Sequence, residues 1–67
     1  MAVLRINGEE EHFDHVKTLL DVVAHYKLEN NLVVAEVDGK VIDRERWSET
    51  GIEDGMSIEL VHFVGGG

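Results

Sequence analysis

The residues of this chain that could do chemistry stand at its C-terminal end, where Gly65, Gly66 and Gly67 follow Val64. Three glycines add nothing to a packed core, but their backbone can adopt almost any φ and ψ angles and can approach another protein's atoms closely. We expect residues 63–67 to form a flexible tail that threads through a narrow channel of a partner protein. The α-carboxylate of Gly67 is then the reactive group.

An α-carboxylate is ionised at neutral pH. It could attack the α-phosphate of ATP held by a partner enzyme, which would place an acyl-adenylate on Gly67. A persulfide on a partner could then displace AMP, and reductive cleavage would leave a C-terminal thiocarboxylate. The chain has no cysteine, so the sulfur has to come from a partner, and neither a disulfide nor a thiolate nucleophile can be proposed.

The histidines offer weaker chemistry. His12 and His15 lie close to the glutamates at positions 9–11, but they straddle a predicted junction between a strand and a helix, and nothing fixes a third ligand. No metal site is therefore predicted. His62 precedes the tail, yet its side chain is expected to face the same side as Leu60, as a partly buried histidine at a sheet edge. We assign it no catalytic role.

Composition limits the possible partners. Six Lys and Arg against 14 Asp and Glu give a formal net charge of −8, which repels phosphate backbones and anionic lipids. Neither nucleic acid nor membrane is expected as a partner, although the acidic surface could steer docking onto basic proteins. Apolar runs are short, so no signal peptide is predicted and the chain is expected in the cytoplasm. With 43% hydrophobic residues, residues 1–67 are predicted to form one folded domain.

The first half of the chain predicts a hairpin followed by a helix. Residues 2–6 alternate as in a half-buried strand, Asn7-Gly8 predicts a tight turn, and residues 9–13 form a return strand at a sheet edge with Phe13 pointing inward. Asp14 is the predicted N-cap of a helix that runs to residue 27 or 28. Its apolar stripe consists of Val16, Leu19, Leu20 and Val23. Asn30-Asn31 suit the left-handed conformation that closes many helices.

The second half predicts three more strands. Residues 32–37 have an apolar face, Asp38-Gly39 predicts a second hairpin, and residues 40–42 form its short partner. Residues 43–50 are polar apart from Trp47, which is predicted to fold back over the core from a short helical turn or loop. Asp54-Gly55 introduces the last strand at residues 56–63.

These elements predict an α+β fold. The first and last strands pair in parallel in the middle of a mixed sheet of about four or five strands, and the helix covers one face. That arrangement is the β-grasp of ubiquitin-like proteins. Val61 and Phe63 lie on the opposite face, where they are expected to form an exposed apolar patch that docks a partner beside the tail. Val64 is expected to contribute to this docking. The alternative is a sheet face partly covered by Trp47 or a loop.

Several short stretches also match a known family, and they are Asn7-Gly8, Val41-Ile42, Arg44-Glu45-Arg46-Trp47, Asp54-Gly55 and His62-Phe63-Val64-Gly65-Gly66-Gly67. Through these stretches the whole chain resembles the ThiS family of thiamine-biosynthesis sulfur carriers. Met56 and the additional Gly65 depart from the usual pattern, but neither changes the terminal glycine pair.

The resemblance implies that Gly67 is adenylated by an E1-like adenylyltransferase of the ThiF type, which consumes ATP. It also implies that a cysteine desulfurase or another sulfur donor supplies sulfur, and that a thiazole synthase of the ThiG type receives it. By the same resemblance the chain binds no cofactor of its own and is not an enzyme.

Two other readings stay open at the level of the sequence. One is a sulfur carrier of another pathway, of the type of the small subunit of molybdopterin synthase, which is usually longer than this chain. The other is a β-grasp interaction module with an incidental tail, whose binding would survive deletion of residues 65–67. An enzyme is the weakest reading, because the chain offers neither a nucleophile–base pair nor a phosphate-binding loop.

Overall fold

The computed structural model describes residues 1–63, which form five strands, one α-helix and one 3₁₀ helix. The elements are β1 (Ala2–Ile6), β2 (Glu9–Phe13), α1 (Leu19–His25), β3 (Leu32–Val37), β4 (Lys40–Ile42), the 3₁₀ helix (Arg44–Glu49) and β5 (Ser57–Phe63). The strands form one sheet in the order β2-β1-β5-β3-β4. Because β1 and β5 pair in parallel at its centre and β3 pairs antiparallel with β5, the predicted β-grasp arrangement is confirmed. Neither helix in this part of the chain is long and apolar enough to cross a membrane.

Both antiparallel hairpins close through the same kind of turn. Asn7 and Gly8 have φ angles of 50° and 85°, and Asp38 and Gly39 have φ angles of 48° and 88°. Positive φ at both central residues is typical of the two-residue turn whose twist matches that of the flanking strands. The two hairpin predictions are confirmed.

The core lies between α1 and one face of the sheet, because alternate residues of each strand point to the same side. Phe13 points inward from the edge strand β2, as predicted. Trp47 closes the core from the 3₁₀ helix, and its Nε1 donates a hydrogen bond of 2.9 Å to the carbonyl oxygen of Ile42. The buried side chains are Leu4, Ile6, Phe13, Leu19, Val22, Val23, Val33, Ala35, Val37, Trp47, Ile58 and Leu60.

The start of α1 differs from the prediction. The N-cap is Thr18 instead of Asp14, because Thr18 Oγ1 accepts a hydrogen bond from the Asp21 backbone N–H and the Asp21 carboxylate accepts one from the Thr18 N–H. This reciprocal pair is a capping box, with Asp in the place usually held by Glu or Gln. The segment before it is tied down elsewhere, since the N–H of Ile52 donates to the carbonyl of Lys17. The helix therefore begins at Leu19.

The predicted apolar stripe is also shifted by this later start. Val16 lies before α1, and Leu20 is exposed on the outer side of the helix. The side chains of α1 that enter the core are Leu19, Val22 and Val23.

The end of α1 is formed by Lys27, with a φ angle of 59°, instead of by Asn30-Asn31. The Lys27 N–H donates to the Ala24 carbonyl and the Leu28 N–H donates to the Val23 carbonyl, which is the bonding pattern of a Schellman motif. Leu28 packs against the core. A lysine takes the left-handed position because this turn brings the following leucine inward.

The last strand begins at Ser57, one residue later than predicted, and ends at Phe63. Phe63 was predicted as the first residue of the flexible tail, but it is the last residue of β5 and pairs with Leu32 of β3. The rest of the predicted tail, residues 64–67, lies outside the described residues.

Candidate functional site

The candidate site lies where β5 leads toward the predicted reactive terminus. Pairing with β3 continues to the end of β5, at Phe63, whereas the parallel pairing with β1 involves only Ser57 and Ile58. The second half of β5 thus projects past the end of β1. The predicted site residues Val64, Gly65, Gly66 and Gly67 follow it and lie outside the described residues.

Two predicted docking residues are exposed side by side on one face of the sheet. Val61 is 50% exposed and Phe63 is 52% exposed, on the face turned away from α1. Their partners on β3 are Val34 and Leu32, which are also exposed. We call these four side chains the exit patch. Trp47 is buried in the core on the other side of the sheet and does not cover the patch, so cover by Trp47 is ruled out.

Leu32 and Val34 were not expected at the site from the sequence. The signal was present in the alternation of β3, where Val33, Ala35 and Val37 fill the core and the intervening residues must point outward. What was missing was the register, which sets Leu32 opposite Phe63. A cluster of exposed apolar side chains on neighbouring strands is typical of a protein-binding surface.

Acidic side chains border the exit patch. Glu36 of β3 and Glu59 of β5 are direct cross-strand partners, one pair further along the same face. Like charges in this position repel each other and are unfavourable for the sheet. Together with the net charge of −8, they favour a partner surface with basic residues around an apolar centre.

Arg44 positions the start of β3 and with it Leu32 of the exit patch. Its guanidinium donates a hydrogen bond of 2.7 Å to the carbonyl of Glu29 and another to the carbonyl of Asn31. The same guanidinium carbon lies 4.7 Å from the ring centre of Trp47, a cation–π contact. The Arg44–Trp47 stretch that carries much of the family resemblance thus has a structural role.

His62 lies on the α1 side of β5, together with Leu60, as predicted. It is exposed instead of partly buried, and it lies on a central strand instead of a sheet edge. It borders a groove of about 290 Å³ that is also lined by Ile6, Tyr26 and Leu28. This groove opens on the face of the sheet opposite the exit patch.

Tyr26 forms one wall of that groove. Desolvation raises the pKa of Tyr26, and the carboxylates of Glu11 and Glu9 raise it further. Its ring packs edge-on against those of Phe13 and His25, with ring centres 6.3 Å and 5.0 Å away. The groove therefore has an aromatic wall formed by Tyr26.

The other histidines surround a cleft of about 520 Å³ between β2 and α1. His12 Nε2 lies 3.3 Å from a carboxylate oxygen of Glu10, and both side chains are exposed. The Asp21 carboxylate in this cleft already accepts hydrogen bonds from backbone N–H groups at the start of α1, which hold its pKa below the usual value. Within residues 1–63, no three His, Cys, Asp or Glu side chains come close enough to hold a metal ion.

Comparison with known proteins agrees with this geometry. The sequence model of the ThiS family matches residues 4–67. The sulfur carrier protein ThiS of Bacillus subtilis is 39% identical over 66 residues, which cover 97% of this chain and 100% of that protein. A thiazole synthase of Paramagnetospirillum magneticum is 28% identical over 64 residues, which cover 96% of this chain but 20% of that protein.

Solved structures show the same fold. The crystal structure of the thiamine biosynthesis protein ThiS from Geobacter metallireducens superposes with a TM-score of 0.77 at 28% identity, over 97% of this chain and 99% of that one. The solution structure of a thiamine biosynthesis protein from the same organism gives a TM-score of 0.78 at 28% identity, over 97% and 87% of the two chains.

Proposed function

The chain belongs to the ThiS family and is a sulfur carrier of thiamine biosynthesis, and we propose that the α-carboxylate of Gly67 is the group that takes up and delivers the sulfur. The observation that carries the proposal is the extent of the family match, from residue 4 to residue 67, which takes in the fold and all three glycines. The sheet serves to present the end of the chain to partner enzymes.

The first proposed step is adenylation by an E1-like enzyme of the ThiF type. A carboxylate oxygen of Gly67 attacks the α-phosphorus of ATP bound to the partner, pyrophosphate leaves, and an acyl-adenylate forms. A carboxylate is a weak nucleophile, and its carbonyl carbon is a weak electrophile because oxide is a poor leaving group. Adenylation activates that carbon by replacing oxide with AMP as the leaving group. The nucleotide is held by the partner, and the carrier contributes only its terminus.

The second proposed step is sulfur transfer. The outer sulfur of a partner's persulfide, formed by a cysteine desulfurase or another donor, attacks the acyl carbon of Gly67 and AMP leaves. A second thiol of the partner then attacks the resulting acyl disulfide, so that a disulfide forms on the partner and a thiocarboxylate is released on the carrier. The carrier has no cysteine, so both thiols belong to partners and the chain itself catalyses neither step.

The proposed acceptor of the sulfur is a thiazole synthase of the ThiG type. The similarity of this chain to a stretch of a protein named thiazole synthase supports that choice. The reactions use ATP and reduced thiols, so we place the carrier in the cytoplasm, and it holds no cofactor of its own.

Docking onto these enzymes is proposed to use the exit patch, because it lies on the strand that leads to the reactive group. Val61 and Phe63 would supply the apolar contact beside the terminus, and Val64 would extend it. Burial of exposed apolar side chains is the main favourable contribution at the centre of an interface.

The test of the proposal is the requirement for the terminal carboxylate. A chain without Gly66 and Gly67 should release no pyrophosphate when it is incubated with ATP and the cognate adenylating enzyme. Its circular dichroism spectrum and denaturation midpoint should be unchanged, because the core side chains of the described part of the chain lie between Leu4 and Leu60.

A chemically synthesised chain with a carboxamide on Gly67 is the matched control, because it keeps every residue and lacks only the nucleophilic oxygen. It should also be inactive. Pyrophosphate release from either variant at the wild-type rate would contradict the assignment of Gly67 and favour a β-grasp interaction module.

A further inference from the structure

Asn7 makes contacts that its place in a turn does not require. Its Nδ2 donates a hydrogen bond of 3.2 Å to the Leu60 carbonyl, and its Oδ1 accepts one of 2.8 Å from the Leu60 N–H. Its own backbone N–H donates to the carbonyl of Ile58 at 2.9 Å. Asn7 therefore hydrogen-bonds to Ile58 and Leu60, whose backbone groups point to the same edge of β5.

These contacts compensate for the end of β1. The chain turns away at Asn7-Gly8, so β5 loses its parallel neighbour beyond Ile58. A side-chain amide carries the same donor and acceptor pair as a peptide group. The amide of Asn7 thus occupies the place of one further residue of β1 and satisfies both backbone groups of Leu60.

We propose that Asn7 is a positioning residue for the C-terminal carboxylate, because it prolongs the hydrogen bonding of β5 and fixes the direction in which the chain leaves the sheet. Leu60 lies seven residues before Gly67. The inference rests on the proposed function, since the direction of the terminus matters only if the terminus reacts. Without the amide, β3 alone holds the second half of β5, and this half frays more often.

Asp38 provides a matched control at the other end of the same strand. It occupies the equivalent position of the other hairpin, with a φ angle of 48° against 50° for Asn7. Its side chain accepts a hydrogen bond of 3.0 Å from the Ser57 N–H. Asn7→Gly and Asp38→Gly each keep a residue that tolerates positive φ, and each removes one side-chain clamp from β5.

Amide hydrogen exchange of the two variants tests the local part of the inference. By the alternation of strand hydrogen bonds, the N–H groups of Val61 and Phe63 point to β3, so Asn7 does not touch them. Asn7→Gly should raise their exchange rates about three- to tenfold relative to the amide of Ala35, as expected for the loss of two hydrogen bonds. Asp38→Gly should leave their relative rates unchanged. Equal effects of the two variants would overturn the inference.

Steady-state adenylation tests the functional part. The enzyme orders the terminus once it is bound, so fraying of the free carrier should weaken binding without slowing the chemical step. Asn7→Gly should therefore raise KM for the carrier about three- to tenfold with kcat unchanged. Asp38→Gly should change neither KM nor kcat. A wild-type KM for Asn7→Gly, or a loss shared with Asp38→Gly, would overturn the positioning role. A wild-type chain that is not adenylated would instead contradict the proposed function, and the exchange rates would still decide whether Asn7 holds the strand.

Discussion

Val61 and Val41 are the same residue type on the same face of the sheet, but they differ in their distance from the end of the chain. Val61 lies on β5 and is 50% exposed, whereas Val41 lies on the edge strand β4 and is 63% exposed. If exposure alone made a docking residue, the two would be equivalent. The proposed function distinguishes them, because only β5 leads directly to the reactive group.

Substitution of each valine by serine tests this distinction. Val61→Ser should weaken binding to the adenylating enzyme by about 1 kcal/mol, which raises KM for the carrier about fivefold. Val41→Ser should leave KM within twofold of wild type, on the order of the effect expected outside an interface centre. The measurement is the rate of pyrophosphate release as a function of carrier concentration. A larger effect at Val41 than at Val61 would place the docking surface elsewhere.

The sequence could predict only part of the site at this scale. Val61 and Phe63 follow from the alternation along one strand, because period two assigns every residue to a face. Leu32 joins them only through the register between β3 and β5, which spans 31 positions of sequence (63 minus 32). The clamp from Asn7 to Leu60 spans 53 positions. Such contacts depend on how the chain closes, so no local pattern contains them.

At the scale of elements, the stability of the short helix α1 depends on the hydrogen bonds of its first turn. The helix has seven residues, and an isolated helix of that length is not stable in water. The capping box of Thr18 and Asp21 satisfies backbone groups that would otherwise lack partners. The negative charge of Asp21 also lies at the helix end where it interacts favourably with the helix dipole.

The pH dependence of stability should report this cap. Hydrogen bonds from the backbone N–H groups of Lys17 and Thr18 lower the pKa of Asp21 in the folded state. A lowered folded pKa contributes stability that is present above the unfolded value of about 4 and is lost as the pH falls through the folded pKa. Asp21→Asn should therefore denature at lower urea concentration than wild type at pH 7, and the gap should close toward pH 2.

Asp14→Asn is the matched control, because Asp14 is exposed and lies outside the capping box. Its denaturation midpoint should follow that of the wild type throughout this range. A gap between Asp21→Asn and wild type that does not change with pH would show that the charge of Asp21 is not what stabilises α1.

Strand boundaries were easier to predict than helix ends, for a physical reason. Each hairpin is fixed by two adjacent turn residues and by strict alternation beside them, so Asn7-Gly8 and Asp38-Gly39 set the boundaries locally. Asp14 and Thr18 are both suitable N-caps by residue type. Bonds to residues 50–52 decide between them, because they keep the chain extended up to Thr18.

At the scale of the whole molecule, the core is formed by residues that precede the proposed reactive terminus in the sequence. Among residues 1–63, every core side chain lies before Val61, and the last strand ends at Phe63. The last strand is held by β1 at its start and by β3 from Ile58 to Phe63. The order of the elements, from the first hairpin to the last strand, was predictable because each element has a distinct periodicity or turn signal.

Intact-mass spectrometry is the test we would make of the proposal that Gly67 carries sulfur. The chain would be incubated with ATP, a cognate E1-like enzyme and a cysteine-derived sulfur source, and its mass and fragment ions measured. We expect a mass gain equal to the replacement of one oxygen by one sulfur, localised by fragmentation to Gly67. An unchanged mass, with partner enzymes shown to be active on another carrier, would contradict it.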